Sequence, residues 1–196
     1  MLVPCRISPI HDWGGPTDAM GITDRITGLE GIAVESVDGG VCEGIRFSDI
    51  DMTAGGVQTP IFIRLGRRNC HPSGRAGTLK DVVIERVRGR SASCVASSIT
   101  GVPGLRVNGV TLRDVELLVK SGGTADDVAK SVPEVEKRYP QNMMFGTILP
   151  AYGLYVRHAD GVRLENVTFR LMPGEEKRQA VVADDAEIVR PELSPR

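Results

Sequence analysis

Apolar residues return in register along four stretches of this chain. Counting from Gly39, Ala76, Gly104 and Gly161, the third residue is Cys42, Leu79, Val107 or Leu164, and the sixth is Ile45, Val82, Val110 or Val167. The eighth is Phe47, Ile84, Leu112 or Phe169, the eleventh is Ile50, Val87, Val115 or Met172, and the fifth is a turn former, Gly44, Asp81, Gly109 or Asn166. Polar residues such as Arg46, Thr111 and Thr168 stand between the sixth and eighth positions, which is the two-residue alternation of a strand with one buried face. A second strand precedes three of the anchors, carrying Ile32 and Val34, Ser97 and Ile99, and Leu154 and Val156 at matching distances. Before Ala76 its counterpart is Pro60–Leu65, displaced by a loop over Gly66–Arg75.

Strand-turn-strand units of about 28 residues cannot each bury an apolar face alone, and units that stack share one core. The pattern predicts an all-β parallel β-helix, a solenoid of four to five coils over residues 26–190, with an insertion at 121–151 and a last partial unit at Ala180–Val189. An antiparallel sandwich with evenly spaced strands is the competing architecture. Leucine-rich repeats would place Leu where this chain has Val, Ile and Phe, and hexapeptide helices would show a period of six. Within the insertion, Thr124 caps a short helix with acids in its first turn, broken near Pro133. An aromatic and Met-rich loop from Tyr139 to Gly153 follows, and long loops usually sit over a functional face. Residues 1–25 match no unit, and residues 191–196 form a C-terminal tail.

Composition narrows the function. The 196 residues carry 24 Lys+Arg against 25 Asp+Glu, a net charge of −1 that excludes a basic nucleic-acid arm. The 23 Val and 13 Ile against 13 Leu, with 23 Gly, favour strands and turns over helices. No apolar run approaches the ~20 residues that span a bilayer. Cys5, Cys42, Cys70 and Cys94 form neither a Cys-x-x-Cys pair nor a zinc-spaced cluster, so they read as structural thiols, with no metal site and no cofactor expected. The first ten residues lack a secretory signal, so the compartment stays open: the chain is cytoplasmic, or its natural start lies upstream.

The stretch Gly28–Asp51 with its Val37-Asp-Gly-Gly turn, Pro60-Ile-Phe-Ile-Arg-Leu-Gly, and Met144-Phe-Gly…Leu149-Pro-Ala-Tyr-Gly-Leu-Tyr-Val-Arg-His resemble the C-terminal part of glycoside hydrolase family 28, the polygalacturonases and rhamnogalacturonases. The resemblance covers about residues 26–189. It implies a right-handed, single-stranded parallel β-helix and hydrolysis of pectin-like, galacturonate-containing polysaccharide by inversion. It also implies an Asn-Thr-Asp, an Asp-Asp and a Gly-His-Gly motif upstream of the Gly31–Gly40 turn, and none of them stands in that order here. Asp126-Asp127 and Asp184-Asp185 lie downstream and read as solvated surface charge, and His11, His71 and His158 lack the Gly-His-Gly context. The family's Arg-Ile-Lys motif aligns with Ala33-Val34-Glu35, which departs from its acidic-sugar grip. The expectation is therefore a C-terminal portion of a longer glycosidase, inactive alone, with no catalytic residues in this chain. The alternative is a non-catalytic carbohydrate-binding or structural β-helix.

Strand alternation supplies the binding candidates. If Ile32 and Val34 point inward, then Glu35, Phe62, Arg64, Tyr155 and Arg157 point outward on one sheet face. Glu35, Arg64, Tyr155 and Arg157 are the expected substrate-binding row, because guanidinium groups pair with carboxylates and rings stack on sugars. The expected partner is an acidic polysaccharide, with no nucleic acid and no membrane, and the chain is expected to be a monomer if complete.

Overall fold

The computed structural model describes residues 26–68 and 74–190; residues 1–25 and 191–196, with His11, His71, Cys5 and Cys70, lie outside the described residues. The described chain forms strands β1 (Ile26–Ser36), β2 (Val41–Leu65), β3 (Thr78–Ser91), β4 (Ser97–Thr100), β5 (Val107–Val119), β6 (Ala151–Leu171) and β7 (Gln179–Val189), with one helix, α1 (Ala125–Ala129). Every strand pairing is parallel, which removes the antiparallel sandwich.

The open parallel β-helix expected from the repeats, right-handed by the resemblance, is not what forms. Pairing runs β2–β3–β5–β6–β4 and returns from β4 to β2, so five parallel strands close a barrel, with β1 outside on β2 and β7 outside on β6. Closure depends on two long strands that each serve two neighbours within the ring. β2 pairs β3 along Val41–Val57 and β4 along Phe62–Arg64, while β6 pairs β4 along Leu154–Arg157 and β5 along Ala159–Leu171. The alternation along the chain marks which face is buried, but it carries no signal for a pairing path that returns to its start.

The turn column does what its composition implies. Gly44, Asp81, Gly109 and Asn166 all have left-handed backbone, at φ of 65°, 56°, 65° and 52°, a region open to glycine and tolerated by Asp and Asn. The fourth unit, however, is displaced by five residues. Gly161, not Asn166, aligns with Gly44, Asp81 and Gly109, whereas Asn166 joins a second left-handed column with Asp49, Arg86 and Asp114. Leu164 accordingly pairs with Leu112 instead of Val107, and Val167 with Val115. The apolar and left-handed columns both recur five residues apart within a unit, so a five-residue slip maps apolar onto apolar. The earlier strand has no such degeneracy, and Ile63, Ile99 and Val156 align as the spacing predicts.

The apolar columns fill the barrel interior. Ile61, Ile63, Leu79, Val82, Ile84, Ile99, Val110, Leu112, Leu154 and Val156 are all fully buried there, and Cys42 is a small core group as expected. A second apolar cluster lies outside the barrel wall, where Phe62 and Tyr155 pack under Val132, Met144, Phe145 and Leu149. The segment 121–151 therefore covers one outer face of the sheet. Its helix starts as predicted: Thr124 and Asp127 form a reciprocal cap, and Asp127 also accepts from Lys130 at 2.6 Å. Asp127 is consequently buried, unlike the solvated residue expected.

Buried polar groups fasten the covering segment. Arg178, fully buried, donates to the carbonyls of Cys94 (2.9 Å), Leu149 (3.2 Å) and Ala151 (2.9 Å) and pairs with Glu176 at 2.7 Å. Glu176 in turn accepts from Gly123 N at 3.1 Å, so this pair clasps both ends of the segment. At its far side the buried Asn142 donates to Gln58 Oε1 at 2.9 Å, and its backbone N–H donates to Glu30 at 2.7 Å.

Candidate functional site

The strand register brings the predicted binding residues onto adjacent rows. Glu35, Arg64, Thr100, Arg157 and Asp184 form one row across β1, β2, β4, β6 and β7, and Ala33, Phe62, Ser98, Tyr155 and Val182 form the next. Their exposure differs from the expectation. Arg64 and Tyr155 are each 1% exposed and Phe62 is fully buried, because the covering segment lies on them; Glu35 is half-buried. The alternation assigned them correctly to the outer face, but a further layer of the same chain removes that face from solvent.

The guanidinium groups of this row hold the covering segment. Arg64 donates to Gly101 O at 2.8 Å and to Glu134 O at 2.9 Å, and its group lies 5.7 Å from the centre of the Phe145 ring. Burial pulls its pKa down to about 10, so it stays cationic at neutral pH. Arg157 donates to Val132 O at 2.5 Å and pairs with the Glu134 carboxylate, while its Nε stands 3.2 Å from Asp184 Oδ2 as an ion pair without hydrogen-bond alignment.

Around this pair lies a polar cluster that sequence reasoning set aside. His158 Nδ1 is 2.6 Å from Asp185 Oδ2, and Nε2 is 3.1 Å from both carboxylate oxygens of Glu134. Tyr155 donates to Asp184 Oδ2 at 2.8 Å; burial first, and this bond second, raise the phenol above its ordinary range. Arg106 pairs with Asp185 at 2.6 Å and with Asp160 at 2.7 Å. The bonds from His158 and then Arg106 lower the Asp185 pKa, so this carboxylate is ionised at neutral pH.

Backbone geometry aims these groups. His158 and Asp185 stand on neighbouring strands beside the Arg157–Asp184 pair, and both take left-handed conformations, at φ of 47° and 49°. They share this backbone with the turn columns, where the chain bends at each unit. Asp184-Asp185 is thus exposed but engaged, not merely solvated charge. The repeat period held the missing signal, since one unit of about 27 residues beyond Arg157-His158 falls on Asp184-Asp185.

Beside the cluster the covering segment forms an open depression of about 860 Å³, lined by Glu134, Glu136, Lys137, Arg138, Phe145 and their neighbours. Next in the chain, Tyr139 is 59% exposed, with the Arg68 guanidinium 5.3 Å above its ring. Arg68 also pairs with Asp38 at 3.5 Å, and Arg67 with Glu136 at 3.8 Å. Among the described residues no group of three His, Cys, Asp or Glu is placed to hold a metal ion.

No protein family, curated protein or solved structure matches this chain. Any reading of its function draws on the chemistry of the site and on the quoted sequence motifs.

Proposed function

We propose that this chain binds an acidic, uronate-containing polysaccharide without cleaving it, at the depression formed by Pro133–Gly146. The observation that carries the reading is the exposed Lys137 and Arg138 that line the depression, followed in the chain by the exposed Tyr139 ring under Arg68. An aromatic face offers stacking area for a sugar ring, and neighbouring cations suit its carboxylate. The stretches that resemble pectin-cleaving glycosidases would suit the same ligand class.

Cleavage is a different matter. Hydrolysis by inversion needs one carboxyl group to arrive protonated and a second to activate water, roughly 6.5–9.5 Å away. Glu134, Asp184 and Asp185 are each engaged in ion pairs with Arg157, Arg106 or His158, and the family's acid motifs are absent from the chain. The chain is expected to release no reducing sugar from polygalacturonate or rhamnogalacturonan, and release abolished by Glu35→Gln would overturn that part of the reading. For binding, calorimetric titration with a galacturonate oligomer should show saturable heat that is strongly reduced in Tyr139→Ala and absent with a neutral glucan oligomer. Equal binding of the neutral oligomer, or no effect of Tyr139→Ala, would contradict the proposal.

A further inference from the structure

We infer that the Glu134 carboxylate is a built-in stand-in for a ligand carboxylate, and that it occupies an anion site formed by Arg157 and His158 at the edge of the depression. This rests on the binding reading above and specifies where the acid group of the sugar goes.

Three observations meet at this point. First, the groups facing Glu134 are those that recognise a carboxylate. Arg157 pairs with it directly, and His158 Nε2 lies 3.1 Å from each of its oxygens. A planar carboxylate held by a guanidinium on one side and an imidazole on the other is a recognition geometry, not a generic surface pairing. Second, the receiving groups are prepared from behind. Asp185 holds His158 Nδ1 at 2.6 Å, and Arg106 anchors Asp185 at 2.6 Å, so the imidazole keeps its orientation whatever sits on Nε2. Asp185 takes the Nδ1 side of the ring, and the Arg157 guanidinium supplies N–H donors to the carboxylate on the other side. Third, the occupant lies between the receiving groups and the solvent. Its side chain is 31% exposed, against 16% for Arg157 and 10% for His158, so it covers them from the solvent side. The next residue, Val135, takes φ of 43°, a left-handed conformation that a β-branched residue adopts under strain. Displacement of the Glu134 carboxylate bares Arg157 and His158 while its backbone carbonyl stays on Arg64.

A uronate residue reaching the depression would therefore exchange its carboxylate for that of Glu134, with no change in the count of paired charges. Neutral sugars have no group to make this exchange. The wild-type chain binds with an affinity reduced by the fraction of time the site is occupied from within.

The test is titration of a galacturonate oligomer into wild type, Glu134→Ala, Glu136→Ala and the double variant Glu134→Ala/Arg157→Gln, with far-UV circular dichroism confirming each fold. Glu136 lines the same depression but pairs with Arg67, so its removal controls for the loss of a negative charge. Glu134→Ala is expected to bind about tenfold more tightly and Glu136→Ala within about twofold of wild type, with the gain lost in the double variant. Should Glu134→Ala fail to fold, Glu134→Gln keeps the side-chain volume and gives the same direction with a smaller gain. Wild-type binding that is unchanged or weakened by the Glu134 substitutions, or strengthened equally by Glu136→Ala, overturns this inference while leaving the binding reading intact. No binding by wild type or any variant overturns both.

Discussion

The two outer faces of the barrel wall begin from the same strand alternation and end differently. Over β2, β3, β5 and β6 the outward positions form a ladder of charges. Glu85 is held by Arg46 and Arg86, each at 2.5 Å, and by Arg113 at 3.5 Å; Arg113 reaches Glu165 at 2.5 Å, and Arg86 reaches Asp49 at 2.7 Å. Nothing from the described chain lies over this ladder, and its arginines are 44–61% exposed. Over β4 and the start of β6 the equivalent positions are Phe62, Ser98 and Tyr155, with Arg64 and Arg157 among them, and the covering segment buries them. An outward row that balances its charges across strands remains a surface. The row that includes Phe62, Ser98 and Tyr155, beside Arg64 and Arg157, takes a further layer, and Glu134 of that layer pairs with Arg157.

The comparison can be broken most strongly at the clasp. Arg178→Ala strands the buried Glu176 carboxylate and three carbonyls, and should destabilise the fold by about 3–5 kcal/mol in chemical denaturation. Phe145→Ala empties the second core under the covering segment and should cost ~3 kcal/mol or more, with increased exposure of Tyr155. Unchanged stability in either variant would mean that the segment is not part of the folded body.

Acid sharpens the same point. Burial would raise the Glu176 pKa, but its bond to the Arg178 guanidinium and those from the backbone N–H groups of Arg178 and Gly123 outweigh it, lowering the value from 4.5 to about 2. Because the folded-state value is depressed, the stabilisation is complete above pH ~4.5 and fades as pH falls toward ~2, on the order of 3 kcal/mol in all. Denaturation midpoints across that window should fall in wild type and flatten in Glu176→Gln. The smallest effect belongs to the open face: Arg113→Ala should move Tm by less than about 2 °C, since exposed ion pairs contribute little.

Much of this is legible in the sequence. The inward columns, the left-handed turn column, the parallel register of Ile63, Ile99 and Val156 and the Thr124 cap each follow from local spacing and backbone preference. What escaped is non-local. Closure of the barrel depends on β4 meeting β2, which no repeat encodes, and the fourth unit slipped because apolar residues recur at five-residue intervals. The row expected to bind lies on the outer face, but its burial depends on a segment far along the chain. The clue lay in the outward positions themselves, since Phe62, Ser98 and Tyr155 are poor solvent-facing residues beside a loop carrying Met143-Met144-Phe145.

The covered face is tested most directly by chemical modification of tyrosines in the native chain, mapped by mass spectrometry. Tyr139, 59% exposed, and Tyr155, 1% exposed and bonded to Asp184, lie on opposite sides of the covering segment. Nitration is expected at Tyr139 and absent at Tyr155 until the chain is denatured; modification of both at similar rates in the folded protein would contradict the account.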